Sequence, residues 1–225
     1  QGPARDRMTR RGEVIAAVAA AVPAPHGWPV RVAIDGMTGT GKTTFIQELA
    51  DALRALGVKV TTASGDDFHH QREVRYRQGR HSARGYLEDA YHYGAMADKL
   101  LAPLAPGGSR EVRLRHHDLV SDAILDDEPV VTLDGDAVLL VEGSFLQRPE
   151  VAPHWDFVIV LEATKEASAL RQVTRDGAPA DPEDPYHARY FGAYDIYVEE
   201  MSPRDRADVI VENTDLTAPV LLRGA

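Results

Sequence analysis

One stretch of eight residues constrains this chain more than any other. Gly36-Met37-Thr38-Gly39-Thr40-Gly41-Lys42-Thr43 follows the apolar run Val30 to Asp35 and leads into Lys42 to Leu56. In the latter, Phe45, Ile46, Leu49, Ala52, Leu53 and Leu56 recur at helical spacing, and Gly57 supplies a C-terminal stop. The order is therefore strand, glycine-rich turn, amphipathic helix. Glycines let the backbone wrap so that successive N–H groups point at anion oxygens, and the helix that follows offers its positive end to the same anion. The pattern G-x-x-x-x-G-K-[ST] arises by chance in about one chain in a hundred of this length.

Four more short apolar runs read as buried strands: Val58 to Ala63, Ala137 to Glu142, Phe157 to Leu161 and Asp208 to Val211. Helix-length stretches separate most of them. Alternation of this kind predicts an α/β chain with a P-loop NTPase-type three-layer fold, a five-stranded and mainly parallel sheet covered by helices on both faces. Glu111 to Arg115 and Val130 to Leu133 alternate weakly and predict a small accessory hairpin. Asp176 to Pro185, rich in proline and acid, predicts a surface lid.

Composition closes off several function classes. The 225 residues are 44% hydrophobic and 27% charged, enough for one sizeable core. A formal charge of −10 disfavours a basic track for nucleic acid. The absence of cysteine excludes disulfides, thiolate nucleophiles and Cys-ligated metals. The longest apolar run, Val14 to Val22, is far short of the roughly 20 residues that span a bilayer. It lies behind Arg5, Arg7, Arg10 and Arg11 and imitates a signal peptide, but it is mostly alanine and reads as a helix of a cytoplasmic protein. Gln1, Gly2 and Pro3 read as a tag remnant, Met8 as the natural start, and residues 1–10 as a tag remnant and disordered start.

In a P-loop the backbone of residues 36–44 (Gly36, Met37, Thr38, Gly39, Thr40, Gly41, Lys42, Thr43, Thr44) cradles nucleotide phosphates, Lys42 contacts the β- and γ-phosphates, and the Thr43 hydroxyl ligates Mg²⁺. No Asp stands three residues before a Gly, and the single asparagine, Asn213, is followed by Thr214, so the signature elements of signalling GTPases are missing. No L-S-G-G-Q run is present either. Small-molecule kinases remain. Such an enzyme needs a base near the γ-phosphate. The second strand runs into Ser64-Gly65-Asp66-Asp67-Phe68-His69, where open α/β sheets bind ligands. Asp66 is the first candidate and Asp67 the second. Glu142 ends the apolar run Val138 to Val141 at the expected Walker B position, a Mg²⁺-linked acid.

In order along the chain, these and the following elements resemble the uridine kinase and phosphoribulokinase group of P-loop kinases, with bacterial uridine kinase-like proteins nearest. They are the P-loop, Asp66-Asp67-Phe68-His69, Asp89-Ala90-Tyr91 with Tyr93, and His117-Asp118. Glu142-Gly143-Ser144-Phe145, Arg171 to Asp176, Arg189-Tyr190 with Tyr194 and Tyr197, and Ala207 to Val211 with Asn213 complete the set. The resemblance covers Val30 to Pro219. It implies ATP-dependent phosphorylation of a primary hydroxyl, the 5′-OH of uridine or cytidine being the best single expectation. Asp66 falls at the family's catalytic aspartate, a position also linked to Mg²⁺, and Arg171 and Arg175 fall in the helix leading to the family's lid, over the transferred phosphoryl group. Asp67, His69, Tyr76, Arg84, Asp89, Tyr91, His117 and Asp118 become the candidate acceptor-binding side chains. Two departures bear on the acceptor: uridine kinases usually follow the aspartate with Ser-Phe-Tyr, and carry another arginine where Gln172 stands here.

Residues 69–86 hold five arginines against Glu73, a formal +4 that leaves −14 for the rest of the chain. This basic, aromatic island beside Asp66 reads equally as a clamp for an anionic acceptor or as a solvated lid or contact in a homo-oligomer. His116-His117 on a strand would face opposite ways and would not chelate one ion. Tyr190, Tyr194 and Tyr197 share a helix face and read as core rather than as a nucleobase platform. The expected organisation is a single P-loop kinase domain over 11–225, with an acceptor region near 67–133 and a lid near 172–190. The function expected is a Mg²⁺- and ATP-dependent kinase for a small hydroxylated metabolite. The alternatives are another acceptor (sugar phosphate, glycerate or pantothenate-like) and a non-catalytic nucleotide-binding regulator.

Overall fold

A computed structural model describes residues 3–224. Helix α1 (Pro3–Ala21) precedes strand β1 (Val30–Gly36), helix α2 (Lys42–Ala55) and strand β2 (Lys59–Ser64). Three short helices follow, α3 (Arg72–Arg75), α4 (Ala83–Asp89) and α5 (Tyr93–Met96). Next come β3 (Glu111–Arg113), β4 (His117–Asp118), β5 (Ala123–Ile124) and β6 (Val130–Thr132). The remainder is β7 (Ala137–Gly143), β8 (Phe157–Glu162), α6 (Lys165–Asp176), α7 (Pro185–Met201), β9 (Val209–Glu212) and β10 (Val220–Arg223). Gln1 and Gly2, two of the three residues assigned to a tag remnant, lie outside the described residues. α1 starts at Pro3, so the disordered start expected over residues 1–10 is replaced by helix where the chain is described. Its arginines and alanines are good helix formers.

The sheet order is β10-β9-β8-β1-β7-β2. The five predicted strands are all present and mutually parallel, and β10 adds an antiparallel edge that the sequence reading did not include. β1 is buried along its whole length, because it lies centrally and both faces are covered. Val30, Val32 and Ile34 face α1 and α2, meeting Ile15, Val18, Phe45, Ile46 and Leu49. Ala33, Leu139, Val141 and Val160 face the other layer, with Phe68, Leu87, Met96, Phe145 and Tyr197. The expected accessory hairpin is β3 paired with β6, and β4–β5 forms a second, smaller one.

Register places the site. Asp35 is opposite Gly143 and Ser64 is opposite Glu142, so the carboxyl ends of β1, β7 and β2 finish level with one another. Ligands bind open parallel sheets in the crevice beyond such ends.

Candidate active site

Beyond the carboxyl ends lies a cavity of about 730 Å³. The loop after β1 forms its floor. Gly41 caps α2 with φ 93°, and Gly39 has φ 77°, conformations that L side chains rarely adopt. A Cβ on Gly39 would sit 2.7 Å from the carbonyl oxygen of Ser168, so α6 packs directly on the loop. Lys42 Nζ donates to the carbonyls of Gly36 and Met37, both at 2.9 Å. Burial pushes its ammonium down, while attraction from Glu142, Asp66 and Asp35 opposes the fall.

Thr38, Gly39, Gly41, Lys42, Thr43 and Thr44 line this cavity. Gly36, Met37 and Thr40 do not. Met37 and Thr40 lie on the loop's far side, lining a second, apolar cavity of about 520 Å³ with Leu161 and Tyr194. Thr40 Oγ1 donates back to the carbonyl of Met37 at 2.9 Å. The loop is braced from behind: Asn213 Nδ2 donates to the carbonyl of Thr40 at 2.7 Å, and Arg11 reaches Asn213 Oδ1 at 3.1 Å. Asp35, fully buried under the loop, accepts from Tyr197 Oη at 2.5 Å and from the Leu146 N–H at 3.3 Å. Burial still raises its carboxyl above the ordinary carboxylate range.

The two acids are joined through Ser64. Its Oγ donates to Glu142 Oε1 at 2.6 Å and accepts the Asp66 N–H at 3.3 Å, capping the 3₁₀ turn Gly65–Phe68. Glu142 is 8% exposed, and burial raises its carboxyl while Lys42 pulls it down. Asp66 faces the cavity and accepts from Tyr91 Oη at 3.3 Å. Asp67, one residue on, turns to Arg115 Nε at 3.2 Å and is not part of the lining. The turn thus separates the two base candidates, with Asp66 at the cavity.

Thr43, Glu142 and Asp66 present a hydroxyl and two carboxylates to one space, hard oxygen donors of the kind Mg²⁺ takes. Among the described residues no group of three or more His, Cys, Asp and Glu forms a metal cage.

The lid arginines separate. Arg175 lines the cavity, paired with Asp176 at 2.6 Å. Arg171 also reaches the lining, but its guanidinium donates to the carbonyls of Gly39 (2.9 Å), Asn213 (2.7 Å) and Thr214 (2.6 Å). It ties α6 to the phosphate loop. Gln172, the departure from the arginine that uridine kinases carry there, is buried and donates to the carbonyl of Ser168 at 3.2 Å.

Of the acceptor candidates, His69, Tyr76 and Tyr91 line the cavity. His69 Nδ1 lies 2.7 Å from the carbonyl of Asp66, and burial lowers its imidazole below the ordinary value. Arg84 lies outside the lining, paired with Glu200 at 2.7 Å and Glu88 at 3.6 Å. Asp89 is sealed by Arg77 and by Gln78 Nε2 at 2.8 Å. His117 is fully buried against Asp122, and Asp118 is occupied by the N–H groups of Val120 and Ser121. His116 pairs with Lys99, so the two adjacent histidines do diverge. Of Tyr190, Tyr194 and Tyr197 on α7, Tyr197 is core, Tyr194 faces the apolar cavity and Tyr190 lines the main one. Arg75 and Tyr86 of the basic island, with Ser144, Tyr186 and Arg189, are not among the individual site candidates drawn from the sequence, yet all line the cavity. Arg189 carries a charge inside a buried helix face, a signal visible only once that face is known.

A parallel sheet that ends in a lysine-bearing glycine loop, with two acids at neighbouring strand ends, defines a P-loop kinase. The chain belongs to the phosphoribulokinase/uridine kinase family, whose model matches residues 31–215. A search of curated proteins finds no match. Among solved structures, a possible uridine kinase from Bacillus stearothermophilus is similar, with 26% identity, a TM-score of 0.69, and coverage of 92% of this chain and 97% of that one. The D-glycerate 3-kinase of Cryptococcus neoformans shares the fold at 13% identity and a TM-score of 0.52, covering 94% of this chain and 96% of its own.

Proposed function

We propose that the protein transfers the γ-phosphoryl group of ATP to a hydroxyl of a small metabolite. The observation that carries this reading is the placement of Asp66 in the same cavity as Lys42, Thr43 and Glu142, together with aromatic and arginine side chains. Phosphoryl transfer leaves the protein little covalent work, so positioning and electrostatics dominate. The loop N–H groups and Lys42 hold the phosphates. Thr43, Glu142 and Asp66 would hold Mg²⁺, which when bound neutralises charge between the β- and γ-phosphates. Asp66, steadied by Tyr91, accepts the proton of the attacking hydroxyl at its carboxylate. Arg175 meets charge on the transferred group. Arg171 acts at one remove, by fixing the loop.

The 5′-hydroxyl of uridine or cytidine is the acceptor that the family resemblance suggests, supported by the similar Bacillus structure. A different small acceptor is favoured by a specific observation: Asp89, His117, Asp118 and Arg84 stand outside the lining, whereas Arg75 and Arg189 stand within it. A nucleotide-binding regulator without turnover is disfavoured by the presence of Asp66, Glu142 and the lid arginines together in one cavity. ADP release measured over nucleosides, hydroxy acids and sugar phosphates, with mass spectrometry of the product, tests the reading. Acceptor-dependent ADP is expected. Tight ATP binding with no acceptor-stimulated ADP would identify the regulator instead.

A further inference from the structure

Arg75 ends α3 and is nine-tenths buried, yet it lines the cavity that holds Asp66 and His69. Its Nη2 meets Asp122 Oδ1 at 3.2 Å, and its Nε–H has no acceptor. Asp122 is not a dedicated partner. Its carboxylate also takes the Arg72 N–H at 3.0 Å and faces His117 Nε2 at 3.1 Å, and its backbone is held at φ 61°. A buried guanidinium with an idle donor is costly unless something completes its hydrogen bonds. Its planar fork of five N–H groups matches a carboxylate or a phosphate.

The other arginines of the basic island do not compete for that role. Arg77 is spent on Asp89, Arg84 on Glu200 and Glu88, and Arg72 and Arg80 are exposed and outside the cavity lining. Arg189 of α7 stacks on Tyr76 and Tyr86, with its guanidinium 4.9 and 5.0 Å from the ring centroids, and donates to the carbonyl of Arg80 at 2.8 Å. It adds a second positive charge to the same wall. The acids lining the cavity are Asp66 and Glu142, which face the phosphate end, and Asp176, which pairs with Arg175. The rest of the lining combines two cations, Arg75 and Arg189, with Tyr76, Tyr86, Tyr91 and Tyr190.

We propose that Arg75 determines specificity and that the acceptor is a hydroxylated metabolite bearing a carboxylate or a phosphate, its anion held by Arg75 and its hydroxyl turned to Asp66. This rests on the phosphotransferase reading above. In the step, the acceptor oxygen bonds to the γ-phosphorus as the bond from that phosphorus to the β,γ-bridging oxygen breaks. ADP leaves with the electron pair, and the hydroxyl proton passes to Asp66.

The test compares kcat/KM for hydroxy acids, sugar phosphates and uridine, in the wild type and in Arg75→Gln and Asp122→Asn. At least one anionic arm should exceed uridine by about 100-fold, the scale of one or two hydrogen bonds to a charged group. Whichever arm responds tells carboxylate from phosphate. Arg75→Gln should raise the KM for that acceptor by a similar factor, with the KM for ATP unchanged. Asp122→Asn keeps the arginine and removes its competitor, so that KM should hold or fall. A purely structural ion pair predicts that both variants raise it. Uridine turned over as well as any anionic acceptor, or Asp122→Asn raising the acceptor KM as Arg75→Gln does, overturns the proposal while leaving the kinase reading intact. ATP binding without turnover of any acceptor overturns both.

Discussion

The two ends of the cavity are built by different means. At the phosphate end, consecutive backbone groups between β1 and α2 do most of the work, braced by Asp35, Asn213 and Arg171 from behind. At the acceptor end the lining comes from α3, α4, the turn after β2 and α7, and is rich in large side chains such as Arg75, Tyr86, Arg189 and Tyr190. Backbone recognition of an anion is indifferent to most substitutions, whereas a wall of side chains from separate elements changes with each one. The reaction and its specificity are thus held by structures of unequal tolerance.

That contrast can be broken in several places. The largest effect is expected at the phosphate end: Lys42→Ala should cost about 10³ in kcat/KM and weaken ATP, since a preorganised charge at the reacting phosphates is lost. Steady-state kinetics with ATP as the varied substrate checks it. Arg175→Gln should lower kcat by about 10² while sparing the melting temperature. Arg171→Gln should do the reverse, lowering the melting temperature first, because three carbonyls lose their donor. If the two variants behave alike, the separation of their roles is wrong.

Smaller effects concern the supports. Tyr197→Phe leaves buried Asp35 short of its phenol donor and should destabilise the fold by about 1–3 kcal/mol in urea unfolding. Beside the acceptor end, His70 and His116 both have imidazoles lowered to about 4 by burial, and His92 between them is lowered as well. Other charges face them, Asp89 and Arg77 at His70, and Lys99 and Asp126 at His116. A folded-state value below the unfolded one means that the unfolded chain takes up protons first. Stability should be complete above about pH 6.5 and fall as the pH drops toward about 4. Melting temperatures across that window check the sign, and His70→Asn should flatten the decline.

How much of this could be read in the sequence follows the same division. The loop, its strand and its helix are contiguous, so spacing alone picked out Lys42 and Thr43, and Glu142 stood out as the acid that ends a distant apolar run. Spacing did not reveal that Met37 and Thr40 turn to the far side of the loop, nor that Arg171, one helical turn from Arg175, spends its donors on backbone. The five parallel strands were legible as apolar runs. β10 was not, because an edge strand with Val220 and Leu222 half exposed shows no clear burial pattern. At the acceptor end the basic island was visible as charge, but which arginine is buried with a donor left idle depends on acids distant in sequence, such as Asp122 and Glu200. The triplet of tyrosines on α7 shares a face, yet the helix passes from cavity to core along its length, so Tyr190 and Tyr197 end in different surroundings.

The central claim, that Asp66 activates an acceptor hydroxyl beside a bound nucleotide, is tested most directly by parallel calorimetry of ATP binding and single-turnover phosphoryl transfer in Asp66→Asn and Asp67→Asn. The account predicts that Asp66→Asn loses about 10²–10⁴ in transfer rate while still binding ATP, and that Asp67→Asn, whose carboxylate points to Arg115, changes little. Full transfer in Asp66→Asn, or loss confined to Asp67→Asn, would contradict it.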